Sequence, residues 1–230
     1  KNEHLAIVAI TDVDQNKPGL AVLNAESYRN PFGPPVLQVA STEADWLLNL
    51  NKDEKLTFFA EFNNQKSSAS NIQTKVIGKD PSLEPIVIMT PKSGWWTCTS
   101  ERGGGITIWL NAIRYFSENP PLRTIIFTAN TGHELSHLGL DHFLENNPSL
   151  VQDAYLWFHL GANFAAKDGS ILLQASTQDY MNLTMKQFKK ENIKGTQSWP
   201  ISERPLGEAR NIFDGGGEYI SLLGTNPLFH

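Results

Sequence analysis

The residues best able to do chemistry are concentrated in one stretch, Arg123-Thr-Ile-Ile-Phe-Thr-Ala-Asn-Thr-Gly-His-Glu-Leu-Ser-His-Leu-Gly-Leu-Asp-His-Phe143. Within it, His133-Glu134-Leu135-Ser136-His137 has H-E-x-x-H spacing. On a helix, two His at i and i+4 share a face and bind zinc while the Glu activates water. A third His at metzincin spacing is missing, because His142 comes one residue too early after His137. Gly132 and Gly139 bracket the pair and shorten any helix between them. Taken with its flanks, the same stretch is an apolar strand over Thr124–Thr128, a polar turn and a Gly-His-Glu start to a helix. That layout belongs to a parallel α/β sheet with its chemistry at the carboxyl end of a strand.

Two textures surround this stretch. From Leu5 to about Ala69, strand-like runs (Leu5–Ile10, Gly19–Leu23, Val36–Val39, Leu56–Phe62) alternate with turns, of which Asn30-Pro31-Phe32-Gly33-Pro34-Pro35 is the clearest. Thr42 is placed to cap a short helix over Glu43–Leu48. Residues 1–70 read as a small β-rich module, with the polar run Asn63–Ser70 as linker. Residues 71–230 alternate strand and helix: strands at Ile72–Ile77, Ile86–Met89, Thr124–Thr128, Ala154–Leu160, Ile171–Ala175 and Tyr219–Leu223, and helices from Gly103 to Phe116, through Glu145, and from Tyr180 to Lys190. The class is α/β with a mostly parallel, doubly wound sheet. Gly103-Gly104-Gly105 lacks the Lys-Ser/Thr of a phosphate loop and is expected to serve close helix–strand packing. Trp95 and Trp96 either line an apolar ligand pocket or plug one.

Composition narrows the partners. Net charge is −5 without a basic cluster, which argues against nucleic acid. No run of about 18 apolar residues is present, so no membrane span is expected. Cys98 is the only cysteine, which excludes an internal disulfide framework and a cysteine-rich zinc site.

From Ser70 onward the order of segments resembles the zinc aminopeptidases of metallopeptidase family twenty-eight, whose superfamily includes glutaminyl cyclase. Asn71-Ile-Gln-Thr-Lys-Val-Ile-Gly78 resembles that family's N-V-I-A-x-I-x-G strand, and Pro85-Ile-Val-Ile-Met89 follows as the next. Glu101-Arg-Gly-Gly-Gly-Ile106 resembles its D-N-x-S-G-V helix start. The run from Arg123 to Leu140 resembles R-T-I-x-F-x-x-x-x-x-E-E-x-G-L-x-G, and the tail from Gly217 to His230 resembles G-I-P-x-x-x-L … H. The front module, with Asn30–Val39, is similar to a protease-associated domain.

This resemblance implies a zinc-aminopeptidase-type α/β domain over 71–230, cut short at its carboxyl end, behind a protease-associated-type module over 1–70. It also implies a degenerate metal centre. Thr90-Pro91-Lys92 stands where the family has H-x-D, Glu101 where it has the bridging Asp, and His133-Glu134 where it has Glu-Glu. Gly161 stands at the second Asp, with His159 the substitute in a shifted register. The remaining candidate ligands, Glu101, Glu134 and His230, imply at most one zinc, with none as the close alternative. His133 would then act as base in place of the missing Glu, and Thr90, Lys92, Trp95, Trp96 and His159 would line the pocket. Without metal, Glu101 and Glu134 are expected to pair with Lys92, Arg102 or water. The implied function is a mono-zinc hydrolase acting on peptide amino termini. The alternatives are an inactive relative that binds a peptide or protein partner, and an H-E-x-x-H zincin. Family habit and the start at Lys1 without Met set the expectation of an extracytoplasmic location.

Overall fold

The computed structural model describes residues 4–12, 18–20, 33–59, 61, 65–94, 98–166 and 169–226. The chain divides into two compact units, Lys1–Ala69 and Ser70–His230. In the first, β1 (Ile7–Thr11) runs parallel to β2 (Val36–Ala40), with Ile7 opposite Val36. A 3-10 turn over Ser41–Glu43 leads into α1 (Ala44–Leu48). Thr42 lies inside that turn and does not cap the helix; neither Ala40 nor Glu43, the two N-cap residues, makes a side-chain cap bond. Residues 56–59 of the strand expected at Leu56–Phe62 pair with no neighbour among the described residues, so no ladder forms there. Positions 21–23 of the strand expected at Gly19–Leu23 lie outside the described residues.

The second unit contains, in chain order, β3 (Ile72–Val76), β4 (Ile86–Pro91), α2 (Thr99–Glu118), β5 (Ile125–Asn130), α3 (Leu138–Glu145), α4 (Leu150–Asp153), β6 (Leu156–Leu160), β7 (Ile171–Ala175), α5 (Gln178–Lys190), β8 (Thr196–Ser198), α6 (Ala209–Asp214) and β9 (Tyr219–Gly224). Seven strands form one sheet in the order β3-β5-β4-β6-β9-β7-β8. The pairs β4–β5, β4–β6, β6–β9 and β7–β8 are parallel, and β3–β5 and β7–β9 are antiparallel. The expected α/β class and mostly parallel sheet are what the chain forms. The short elements α4, β8 and α6 add to the expected pattern.

Period-two alternation sorts the side chains between two cores. On β4, Ile88 packs with Trp109 of α2 and Met181 of α5 on one face, while Val87 and Met89 pack with Leu140 of α3 and Ile212 of α6 on the other. Trp157 on β6 belongs to the second face. His159, two residues on, therefore points to the α3 and α6 side. This parity delivers an imidazole to the end of the sheet where the polar residues gather.

Helix α2 starts at Thr99, four residues before the glycines expected to open it. The three glycines thus lie inside the helix and let it press against the sheet. A Cβ at Gly105 would stand 2.8 Å from both the Leu160 carbonyl and Thr90 Oγ1, and one at Gly104 would run into the Phe164 carbonyl. Gly103 is different, since its nearest neighbour would be Thr99 Cγ2 at 3.5 Å. Gly105→Ala should cost about 1–3 kcal/mol through overpacking against backbone. Gly103→Ala should instead gain up to about 1 kcal/mol by removing a helical glycine. Urea unfolding of the two variants checks this opposite sign.

Candidate functional site

The polar residues converge at the carboxyl ends of β4, β5 and β6. After β5 the chain turns through Gly132 (φ 67°) into a single 3-10 turn over His133–Leu135, followed by Ser136 and His137 at φ 60° and 62°. Two left-handed residues cannot continue a helix, so α3 starts only at Leu138. This corrects the H-E-x-x-H zincin expectation, because His133 and His137 do not share a helix face. Their rings nevertheless lie 5.1 Å apart through the loop path. Asn71 pins that path by accepting from the Thr131 amide at 3.0 Å and donating to the Gly139 carbonyl at 2.8 Å.

Glu101 and Arg102 occupy the first turn of α2. Arg102 Nη2 lies 2.7 Å from Glu101 Oε1 and 2.8 Å from Glu134 Oε1, so one guanidinium nitrogen bridges two carboxylates. Arg102 Nε donates to the Ser93 carbonyl at 2.7 Å. The side chains of Glu101, Arg102 and Glu134 are 1%, 4% and 15% exposed. Burial pushes the Glu101 carboxyl above its usual range, and repulsion from Glu134 adds to this against the attraction of Arg102. Three atoms of the group, Glu101 Oε2, Glu134 Oε2 and Arg102 Nη1, are buried without a hydrogen-bond partner. Each such atom costs about 1–3 kcal/mol, so a bound polar or cationic group would be stabilised there.

Behind this group lies a network that sequence reasoning missed. Glu208, 2% exposed just before α6, accepts from His133 Nδ1 at 2.5 Å through Oε1 and from His159 Nε2 at 3.0 Å through Oε2. His159 Nδ1 pairs with Ser221 Oγ at 2.8 Å, and Gln174 donates to the same hydroxyl at 3.0 Å. Desolvation is the largest influence on Glu208 and favours its protonated form, yet His133 and His159 together hold its carboxyl well below the usual range. His137 Nδ1 pairs with Asn211 Oδ1 at 2.8 Å, and Arg210 Nη2 lies 3.1 Å from its Nε2. Burial pushes the His137 imidazole down. A Glu directly preceding the apolar Ala209 and Ile212 was the one available signal for Glu208, and it is weak without a known partner.

Two of the expected pocket residues are buried. Thr90 is buried and donates to the Leu160 carbonyl at 2.8 Å, so it braces the sheet and does not line a cleft. His159 is also buried, its ring enclosed by Gly161 and Gly207; a Cβ on either would stand 2.8 Å from His159 Cε1. Gly161 therefore cannot carry a side chain without displacing this ring. Lys92 is half-buried and, among the described residues, makes no ion pair with Glu101 or Glu134; Arg102 takes that place. Trp95, Trp96 and His230 lie outside the described residues.

The fold has known counterparts. The fold is similar to a metallopeptidase family twenty-eight precursor from Shewanella amazonensis (TM-score 0.66, 17% identity, 94% of this chain and 50% of that one). It is also similar to a zinc aminopeptidase from Bacillus subtilis (TM-score 0.67, 14% identity, 97% and 54%) and to a glutaminyl cyclase from an Acidobacteriales bacterium (TM-score 0.52, 15% identity, 66% and 57%). In sequence, 79 residues are 34% identical to a vacuolar membrane protease of Kluyveromyces lactis, covering 33% of this chain and 8% of that protein. No family model matches. The chain thus has the zinc-aminopeptidase fold, and it spans about half the length of the first two solved structures. Among the described residues, no helix is long and apolar enough to cross a membrane.

Among the described residues two groups could hold a metal ion, Glu101–His133–Glu134 and His133–His137–Glu208, and they share His133. Glu101, His133 and Glu134 each offer a ligand atom within 4.8 Å of the others, and two of the carboxylate oxygens there lack partners.

The pKa directions predict acid lability. The unfolded chain protonates His137 near its ordinary 6.5 while the folded chain resists, so stability falls as pH drops below about 6.5. Glu208 adds a second loss below its ordinary 4.5, where the unfolded carboxyl takes a proton first. Glu101, shifted upward, works in the opposite sense on acidification. Melting temperatures measured from pH 8 to 4 should fall in two stages, and His137→Gln should remove the upper one.

Proposed function

We propose that the chain is a peptidase-fold hydrolase with a single-cation centre that acts on peptide amino termini. One observation carries this reading: Glu101 Oε2 and Glu134 Oε2 are buried and without partners while their sister oxygens share Arg102 Nη2. A buried carboxylate oxygen is stabilised by a proton, a donor or a cation, and the solved neighbours of this fold include a zinc aminopeptidase. Glu101 and Glu134 are the ligands, with His230 the further candidate by sequence position. Bound there, zinc would supply Lewis-acid polarisation of a carbonyl and activation of water. Arg102 holds Oε1 of both carboxylates and so fixes the direction of their Oε2 atoms. Helix α2 keeps Glu101 away from water, and its amino-terminal end favours the negative charge.

A binding-only relative is the second reading, favoured by the Arg102 bridge, which already places one positive charge between the carboxylates. Protein purified without chelators separates the two. The single-cation centre predicts about one zinc per chain and metal-dependent cleavage of chromogenic aminoacyl substrates. In Glu134→Ala that cleavage should fall by more than about 100-fold, the upper range even for outer-shell losses. Absence of metal and of turnover, with peptide binding retained, supports the second reading.

A further inference from the structure

We infer that His133 is a ligand of the Glu101–Glu134 centre and that the buried Glu208 is the residue that positions it. This rests on the single-cation reading above. His133 comes from the loop that follows β5 and is 17% exposed. One of its ring nitrogens lies within 4.8 Å of the Glu101 and Glu134 oxygens. Its Nδ1 is committed to Glu208, and because a carboxylate can only accept, that nitrogen carries the proton. The lone pair therefore sits on Nε2, the nitrogen free to ligate. Histidine ligands to metals commonly donate their other N–H to a carboxylate, which fixes the ring and raises its basicity.

The surroundings hold this geometry from several sides. The His133 amide donates to Ser93 Oγ at 3.0 Å, and the Ser93 carbonyl accepts Arg102 Nε at 2.7 Å. A single residue thus fixes both the imidazole loop and the guanidinium that orients the two carboxylates. Glu208 cannot rotate freely, because its second oxygen is held by His159, which is held in turn by Ser221 and Gln174. His133, His137 and Glu208 form a competing donor group. There, both His137 nitrogens are taken, by Asn211 and Arg210, so that group has no free imidazole nitrogen from His137. Two carboxylates and one imidazole form a ligand set that zinc accepts. The assignment moves His133 from the proton-accepting role implied by its sequence position to a metal-binding one.

The test is cobalt(II) titration of metal-free protein, followed by visible absorption and by proton NMR of the loaded form. Wild type should bind one ion and show a hyperfine-shifted, exchangeable imidazole N–H. His133→Gln should abolish that signal, and Glu208→Gln should weaken binding by about 10–100-fold and broaden or remove it. His137→Gln should leave both unchanged, and melting curves show that the variants are folded. If Glu208→Gln does not fold, Ser93→Ala, which frees the His133 amide, should lower affinity by roughly 10-fold. Binding of one ion with equal affinity in wild type, His133→Gln and Glu208→Gln overturns the inference and leaves the single-cation centre standing. Loss on His137→Gln places the ion in the competing group and also overturns it. Failure of wild type to bind any divalent ion overturns the centre and the inference together.

Discussion

Buried negative charge, and the need to compensate it, sets the terms for this end of the sheet. Glu101, Glu134 and Glu208 crowd the carboxyl ends of three adjacent strands, and two of them are almost fully removed from water. Uncompensated, such carboxylates would protonate or force the site open. The chain answers in two ways. Glu208 is satisfied completely by two imidazole donors, whereas Glu101 and Glu134 are satisfied only in half by Arg102. The completed pair is a support, and the incomplete pair is where a ligand has most to contribute.

Backbone features make this crowding reachable. Glycines let α2 approach the sheet closely enough for Glu101 to sit among strand ends, and the parity of β6 sends His159 to the same side as Trp157. The loop after β5 breaks helical geometry at Ser136 and His137, so that His133 meets Glu208 from a single 3-10 turn and α3 starts only at Leu138. The H-E-x-x-H residues thus serve two neighbouring clusters and not one helix face.

Much of the fold was open to sequence reasoning, because strand–helix alternation and the order of short motifs are local signals. Glu101 and Glu134 were singled out the same way, each beside a recognisable helix start or strand end, and Arg102 brings them together in the fold. Glu208 escaped because nothing in Leu206-Gly207-Glu208-Ala209-Arg210 announces that two histidines, 49 and 75 residues away, will receive it. Arg102 and Lys92 were weighed alike as neutralising cations, and only the close packing of α2 selects Arg102. Thr90 and His159, expected to line a pocket, are buried, because burial depth depends on which face a strand residue occupies and on glycines distant in sequence. The H-E-x-x-H spacing misled for a related reason, since spacing alone does not report the left-handed residues that break the helix.

The central claim is one cation between Glu101 and Glu134. Anomalous diffraction at the zinc edge from crystals grown with zinc tests it most directly. One peak per chain, with Zn–O and Zn–N distances of about 2.0–2.2 Å to Glu101, Glu134 and an imidazole, is the predicted result. Two peaks in the cleft, or none while Arg102 still bridges both carboxylates, would contradict the account.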